Sequence, residues 1–174
     1  MTKPEELYRP SVINGTYFNR MLQCGARANG WLEHVLTDCL PTEIFDDWKD
    51  KLAFISTANS DAFRIARKTR EERELIFISE HIIPPHGASE GHPEVRYLYF
   101  VALHEVVHAI RQHKPPNEIS EEANNAQETE ADALALEWFN AYIKRTKNPY
   151  LKEFTKEELA VATKKNTEKL KALQ

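Results

Sequence analysis

The segment His104-Glu105-Val106-Val107-His108 constrains this chain more than any other. Tyr97, Leu98, Phe100, Val101, Val107 and Ile110 surround it with apolar side chains, and no Gly or Pro interrupts the run from Glu94 to His113. Pro93 suits a first helical turn, where its missing N–H costs nothing, and Glu94 suits the positive end of the helix dipole. The stretch from about Glu94 to His113 is therefore expected to be one largely buried helix, ended by Lys114-Pro115-Pro116. Histidines four apart on such a helix share a face, one turn from each other. Burying two imidazoles and the Glu105 carboxylate needs compensation. A metal ion supplies it: two nitrogens at this spacing can hold zinc, with Glu105 placed as general base toward a metal-bound water.

A catalytic zinc takes three protein ligands and keeps one position open. The extended pattern His-Glu-x-x-His-x-x-Gly-x-x-His would put glycine at position 111 and histidine at 114. The chain has Arg111 and Lys114, His113 falls one residue short, and no histidine follows it. A carboxylate is available instead. Gln127 to Phe139 reads as helix, with Ser120 as N-cap and Glu121 and Glu122 in the first turn. Glu128 and Asp132 are four apart and share a face. Glu128 can bind the metal while Asp132 accepts the other ring N–H of a liganding histidine, fixing its tautomer. Glu130 points to a different side and is the weaker candidate.

Together, His-Glu-x-x-His and Glu128-x-x-Ala131-Asp132 resemble the gluzincin branch of zinc metallopeptidases. Its small members include the minigluzincins and the domain shared by ImmA- and IrrE-type regulatory proteases. The resemblance covers about residues 70–142. It implies one zinc ion per chain, held by His104, His108 and Glu128, with Glu105 as general base and acid and Asp132 as the orienting residue. It also implies a sheet packed on the motif helix, with an outer strand beside the metal to which an extended substrate adds by main-chain hydrogen bonds. Integral-membrane relatives with Glu-x-x-Ala-Asp fit less well, because no apolar run here can span a bilayer.

The strands expected to build that sheet precede the motif. Leu52 to Thr57 is a compact apolar run, and Asn59-Ser60-Asp61 is a turn signal. Ala62 to Arg67 alternates apolar and polar residues, and Glu74 to Glu80 is the strongest strand pattern. Turns between them favour a three-stranded antiparallel meander over parallel crossovers. The expected class is therefore α+β, a small zincin-like domain with the meander packed on the motif helix and the Glu-bearing helix after it. Residues 75–80 are the candidate substrate-pairing edge. Before the strands, two short helical faces are expected, Phe18, Met21 and Leu22, then Trp31, Leu32, Val35 and Leu36. Pro41 breaks the second, and Thr42 is a candidate N-cap for a short helix carrying Ile44, Phe45 and Trp48. Thr155 and Glu158 have capping-box spacing and open a C-terminal amphipathic helix. His81, His86 and His92 lie near the loop entering the motif helix and read as surface or cap histidines.

At 174 residues the chain should hold one domain, residues 15–146, flanked by an extended segment 1–14 and a helical tail 147–174. With 41% hydrophobic and 29% charged residues it has the means to bury a core. A net charge of −4 gives no broad basic surface for nucleic acid, and the cluster Arg64, Arg67, Lys68 and Arg70 is followed at once by Glu71, Glu72 and Glu74. The expected partner is thus a polypeptide substrate, with no nucleic acid and no membrane. The start has no apolar signal core, and Cys24 and Cys39 lack Cys-x-x-Cys spacing, so free thiols in the cytoplasm are expected. The reading is a zinc-dependent endopeptidase; the alternative is a metal-binding but catalytically inactive regulatory or interaction protein. Glu105 favours the first, since a structural metal site needs ligands but no base.

Overall fold

The computed structural model describes residues 22–24, 26–57, 63–65, 73–85 and 87–171. The expected extended segment 1–14, Phe18 and Met21, the Asn59-Ser60-Asp61 turn, the side chains of the basic cluster at 64–70, and His86 lie outside these residues.

The chain enters through a two-residue strand, β1 (Leu22–Gln23), then helix α1 (Ala26–His34), which passes directly into a π-helical turn (Val35–Cys39). Helix α2 (Thr42–Trp48) follows Pro41, which occupies the N-cap position itself, so Thr42 is the first helical residue and not the cap. Strands β2 (Leu52–Thr57), β3 (Phe63–Ile65) and β4 (Glu74–Ser79) come next. Three helices complete the described chain: α3 (Pro93–Ile110), α4 (Glu121–Thr146) and α5 (Lys156–Lys171).

The sheet corrects the sequence expectation. It has four strands in the order β1-β2-β4-β3. β2 runs parallel to β1 on one side and to β4 on the other, with Phe54 opposite Leu22 and Ile76. Only β3 is antiparallel, pairing with β4 from Phe63 opposite Phe77 to Ile65 opposite Leu75. The antiparallel three-stranded meander is therefore overturned, and with it the fold class drawn from it. The reason is lateral order. Two reversals between β2 and β4 leave those strands pointing the same way, and β4 inserts between β2 and β3 instead of following β3 outward. Leu22, expected on a helical face, pairs in β1, and the helices α1 and α2 supply the crossover that a parallel β1–β2 pair requires. Residues 75–79 are consequently interior to the sheet; the outer strands are β1 and β3.

Helix α3 lies at the centre, packed against β3 and β4 on one side and α1 and α4 on others. Val95, Leu98, Leu103 and Val106 from α3 are fully buried with Leu32 and Leu36, Phe54, Ile76 and Ile78, and Ala135 of α4. Tyr99 is 1% exposed and meets the rings of Trp31, His34, Phe139 and Tyr142. Leu151, Phe154 and Leu159 join the same core, so the segment after α4 packs back on α3 and α4. Arg96 fixes that return: its guanidinium lies 4.1 Å from the Phe154 ring centre and donates to the Glu153 carbonyl at 2.8 Å. At the start of α5 the capping box forms in both directions, Thr155 N to Glu158 Oε2 at 3.0 Å and Glu158 N to Thr155 Oγ1 at 3.1 Å. Among the described residues no helix is long and apolar enough to cross a membrane.

Candidate metal centre

Local chemistry sets both helices that carry the site. His92 caps α3, its Nδ1 accepting from Glu94 N at 3.3 Å, and Pro93 opens the first turn. Ser120 Oγ caps α4 by accepting from Ala123 N at 3.2 Å. Helix α3 presents His104 and His108 one turn apart, and α4 presents Glu128 and Asp132 one turn apart against them.

The four side chains meet. His104 Nε2 lies 2.9 Å from His108 Nε2 and 3.3 Å from Glu128 Oε2, and His108 Nε2 lies 3.5 Å from Glu128 Oε1. A tetrahedral ion with bonds of about 2.0–2.1 Å spaces its ligands about 3.3–3.4 Å apart, so the set fits to within about half an ångström. His104 Nδ1 sits 2.9 Å from Asp132 Oδ1. A carboxylate can only accept there, so Nδ1 carries the proton and the Nε2 lone pair faces the cluster. His104, His108 and Glu128 form a group able to hold a metal ion. The histidine side chains are 15% and 11% exposed while Glu128 is 44% exposed, which leaves the carboxylate side open to the cleft.

The electrostatics suit a cation. Burial disfavours charge on His104, but the bonds to Asp132 and Glu128 outweigh it and raise its pKa to about 9. Glu128 is held well below the usual carboxylate range, first by His104 and then by His108.

The cluster opens onto a cleft of about 870 Å³. Its floor is His104, Glu105, Glu128 and Asp132, and its walls are α3, α4 and the face of α5 bearing Leu159 and Thr163. Glu105 is 8% exposed and lines this cleft beside the ligands.

Two residues set aside by sequence reasoning belong to the site. His113 Nδ1 lies 2.9 Å from His108 Nδ1, and His113 Nε2 lies 3.2 Å from Glu130 Oε2. Neither is a metal ligand: the spacing of His113 misses the third-ligand place, and Glu130 lies on a different side of α4 from Glu128. The available signal was the cap beyond α3, which folds residue 113 back over residue 108. His81 and His92, among the described histidines, play no such part. His81 is exposed, His92 is a helix cap, and neither lines the cleft. Tyr142 is buried with its hydroxyl 2.9 Å from His34 Nε2.

No protein-family model, curated protein or solved structure matches this chain. The reading of the site rests on its own geometry.

Proposed function

We propose that this chain is a zinc-dependent metallopeptidase of the gluzincin type, acting as an endopeptidase on polypeptide substrates. The observation that carries the proposal is the convergence of His104, His108 and Glu128 on one point, with the buried Glu105 carboxylate in the same cleft. Two imidazoles and a carboxylate are a donor set that zinc takes in catalytic sites. When bound, zinc supplies Lewis acidity toward the scissile carbonyl and a water of lowered pKa. The chain's own residues do the rest. Asp132 keeps His104 in the tautomer that presents Nε2. Glu105 takes the proton of the attacking water and delivers it to the leaving amine, a transfer that a neighbouring carboxylate of low exposure suits. The cleft between α3, α4 and α5 receives the peptide. The unpaired Cys24 and Cys39 support a reducing compartment, the cytoplasm.

The test has two stages. Elemental mass spectrometry of untagged protein purified without chelators should find about one zinc per chain, lost in His104→Ala. Peptide-library digestion should then show cleavage by the wild type and none by Glu105→Gln, which should still hold zinc. Zinc uptake with unchanged cleavage by Glu105→Gln would remove Glu105 from its role. Absence of zinc uptake by folded protein would overturn the proposal.

A further inference from the structure

We infer that His113 and Glu130 form a positioning pair that orders the second metal-binding histidine, His108, from behind. The inference rests on the metal reading of the cluster but adds residues that no ligand motif assigns.

The backbone places His113. Beyond the last turn of α3, Gln112 adopts a left-handed conformation at φ 55°. His113 N donates to His108 O at 3.0 Å, and Gln112 N donates to Ala109 O at 3.2 Å. These two bonds are the pair that defines a Schellman turn, in which the second residue past the helix cap packs over the residue five positions earlier. That contact is ordinarily apolar. Here it joins two imidazole rings, with centres 4.8 Å apart and planes at 77°.

The direction of each hydrogen bond follows from its far end. Glu130 is a carboxylate and accepts, so His113 Nε2 carries its proton and His113 Nδ1 carries a lone pair. That lone pair accepts from His108 Nδ1, so the proton of His108 is on Nδ1 and its Nε2 lone pair faces His104 and Glu128. Glu130 thereby sets the tautomer of a metal ligand through an intervening ring, as Asp132 does directly for His104. The pair is held on both flanks. Arg111 Nε donates to the other Glu130 oxygen at 2.9 Å. Gln127 clamps the backbone of Lys114, accepting from its N–H at 2.9 Å and donating to its carbonyl at 3.0 Å. His113 itself is 7% exposed, so an unpaired ring nitrogen there would be costly.

Zinc affinity by competition with a chromogenic chelator tests the pair, using wild type, His113→Leu, His113→Asn and Glu130→Ala. The asparagine carbonyl can stand where His113 Nδ1 stands, so it should keep affinity within a few-fold of wild type. His113→Leu should weaken zinc about 10- to 100-fold, and Glu130→Ala about 10-fold. Equal affinity of His113→Leu and wild type, both folded by circular dichroism, would overturn the inference, as would a loss in His113→Asn as large as in His113→Leu. Long-range ¹H–¹⁵N spectra of the imidazoles give a reading that needs no metal. They should show His113 as the Nε2–H tautomer in wild type and a mixture in Glu130→Ala; a wild-type Nδ1–H tautomer would refute the pair. Failure of the protein to take up zinc would sink the metal reading, and the spectra would still decide whether the pair exists.

Discussion

Tyr99→Phe should make this protein more stable. Tyr99 is on α3, 1% exposed, and its hydroxyl finds no hydrogen-bond partner among the described residues. Burial raises its pKa, and the surrounding Cys39, Tyr142, Glu90 and Asp38 push it further, so the group stays neutral. An orphan buried hydroxyl costs about 1–3 kcal/mol of desolvation that no bond returns. Deleting it leaves a gap of roughly one oxygen atom, which costs about 0.5 kcal/mol at about 24 cal/mol per Å³. The ring contacts with Trp31, Phe139 and Tyr142 survive in phenylalanine. The net expectation is a gain of about 1 kcal/mol, or a Tm rise of about 2–4 °C for a chain of this size. Urea unfolding of the metal-free protein followed by circular dichroism, with thermal melts beside it, reads both quantities. Zinc affinity should not change, because Tyr99 does not line the cleft. An unchanged or lower midpoint would refute the reasoning and show that the hydroxyl is satisfied.

Two further predictions concern charged partners. Asp132→Ala should weaken zinc about 10-fold, or about 1.4 kcal/mol, the lower end of the range for an outer support because Asp132 is 53% exposed. Asp132→Asn, which keeps an acceptor for His104 Nδ1, should lose much less; equal losses in the chelator competition would remove the tautomer argument. His34 is clamped by Asp38 and Glu90, each at 2.6 Å, and these carboxylates raise its pKa against the opposing effect of burial. A raised folded pKa means its contribution is complete below about pH 6.5 and is lost as pH climbs through the folded value. The stability difference between wild type and His34→Gln should therefore shrink from pH 6 toward alkaline pH; a difference that grows would contradict it.

The sequence pattern gave away what depends on local periodicity. His104 and His108, four apart on an apolar helix, share a face by helical geometry, as do Glu128 and Asp132, four apart on a capped one; that the two faces meet lies beyond periodicity. Ser120 and the Thr155–Glu158 box declared their helix starts in the same way. The sheet did not yield to this reading. Turn signals tell when a strand reverses but not which neighbour it chooses, so they do not distinguish β4 beyond β3 from β4 between β2 and β3. β1 has two residues and therefore no pattern to read. His113 is not a third ligand, as its spacing predicts, but its place behind His108 is hidden from periodicity because the left-handed Gln112 turns the backbone round.

The two histidines also differ in how far along the chain their supports lie. His108 and His113 are five residues apart and joined by a helix cap, whereas His104 and Asp132 are 28 apart on different helices. Contacts of the first kind can form as soon as α3 does; contacts of the second kind must wait for α4 to dock. The His108–His113 contact can therefore come early in folding, but Glu130, which sets its proton order, and Asp132 both arrive with α4, so the site closes only with the helix pair. A metal ion present while the chain folds would reward the docked arrangement over undocked ones, and would act mainly by slowing its unfolding.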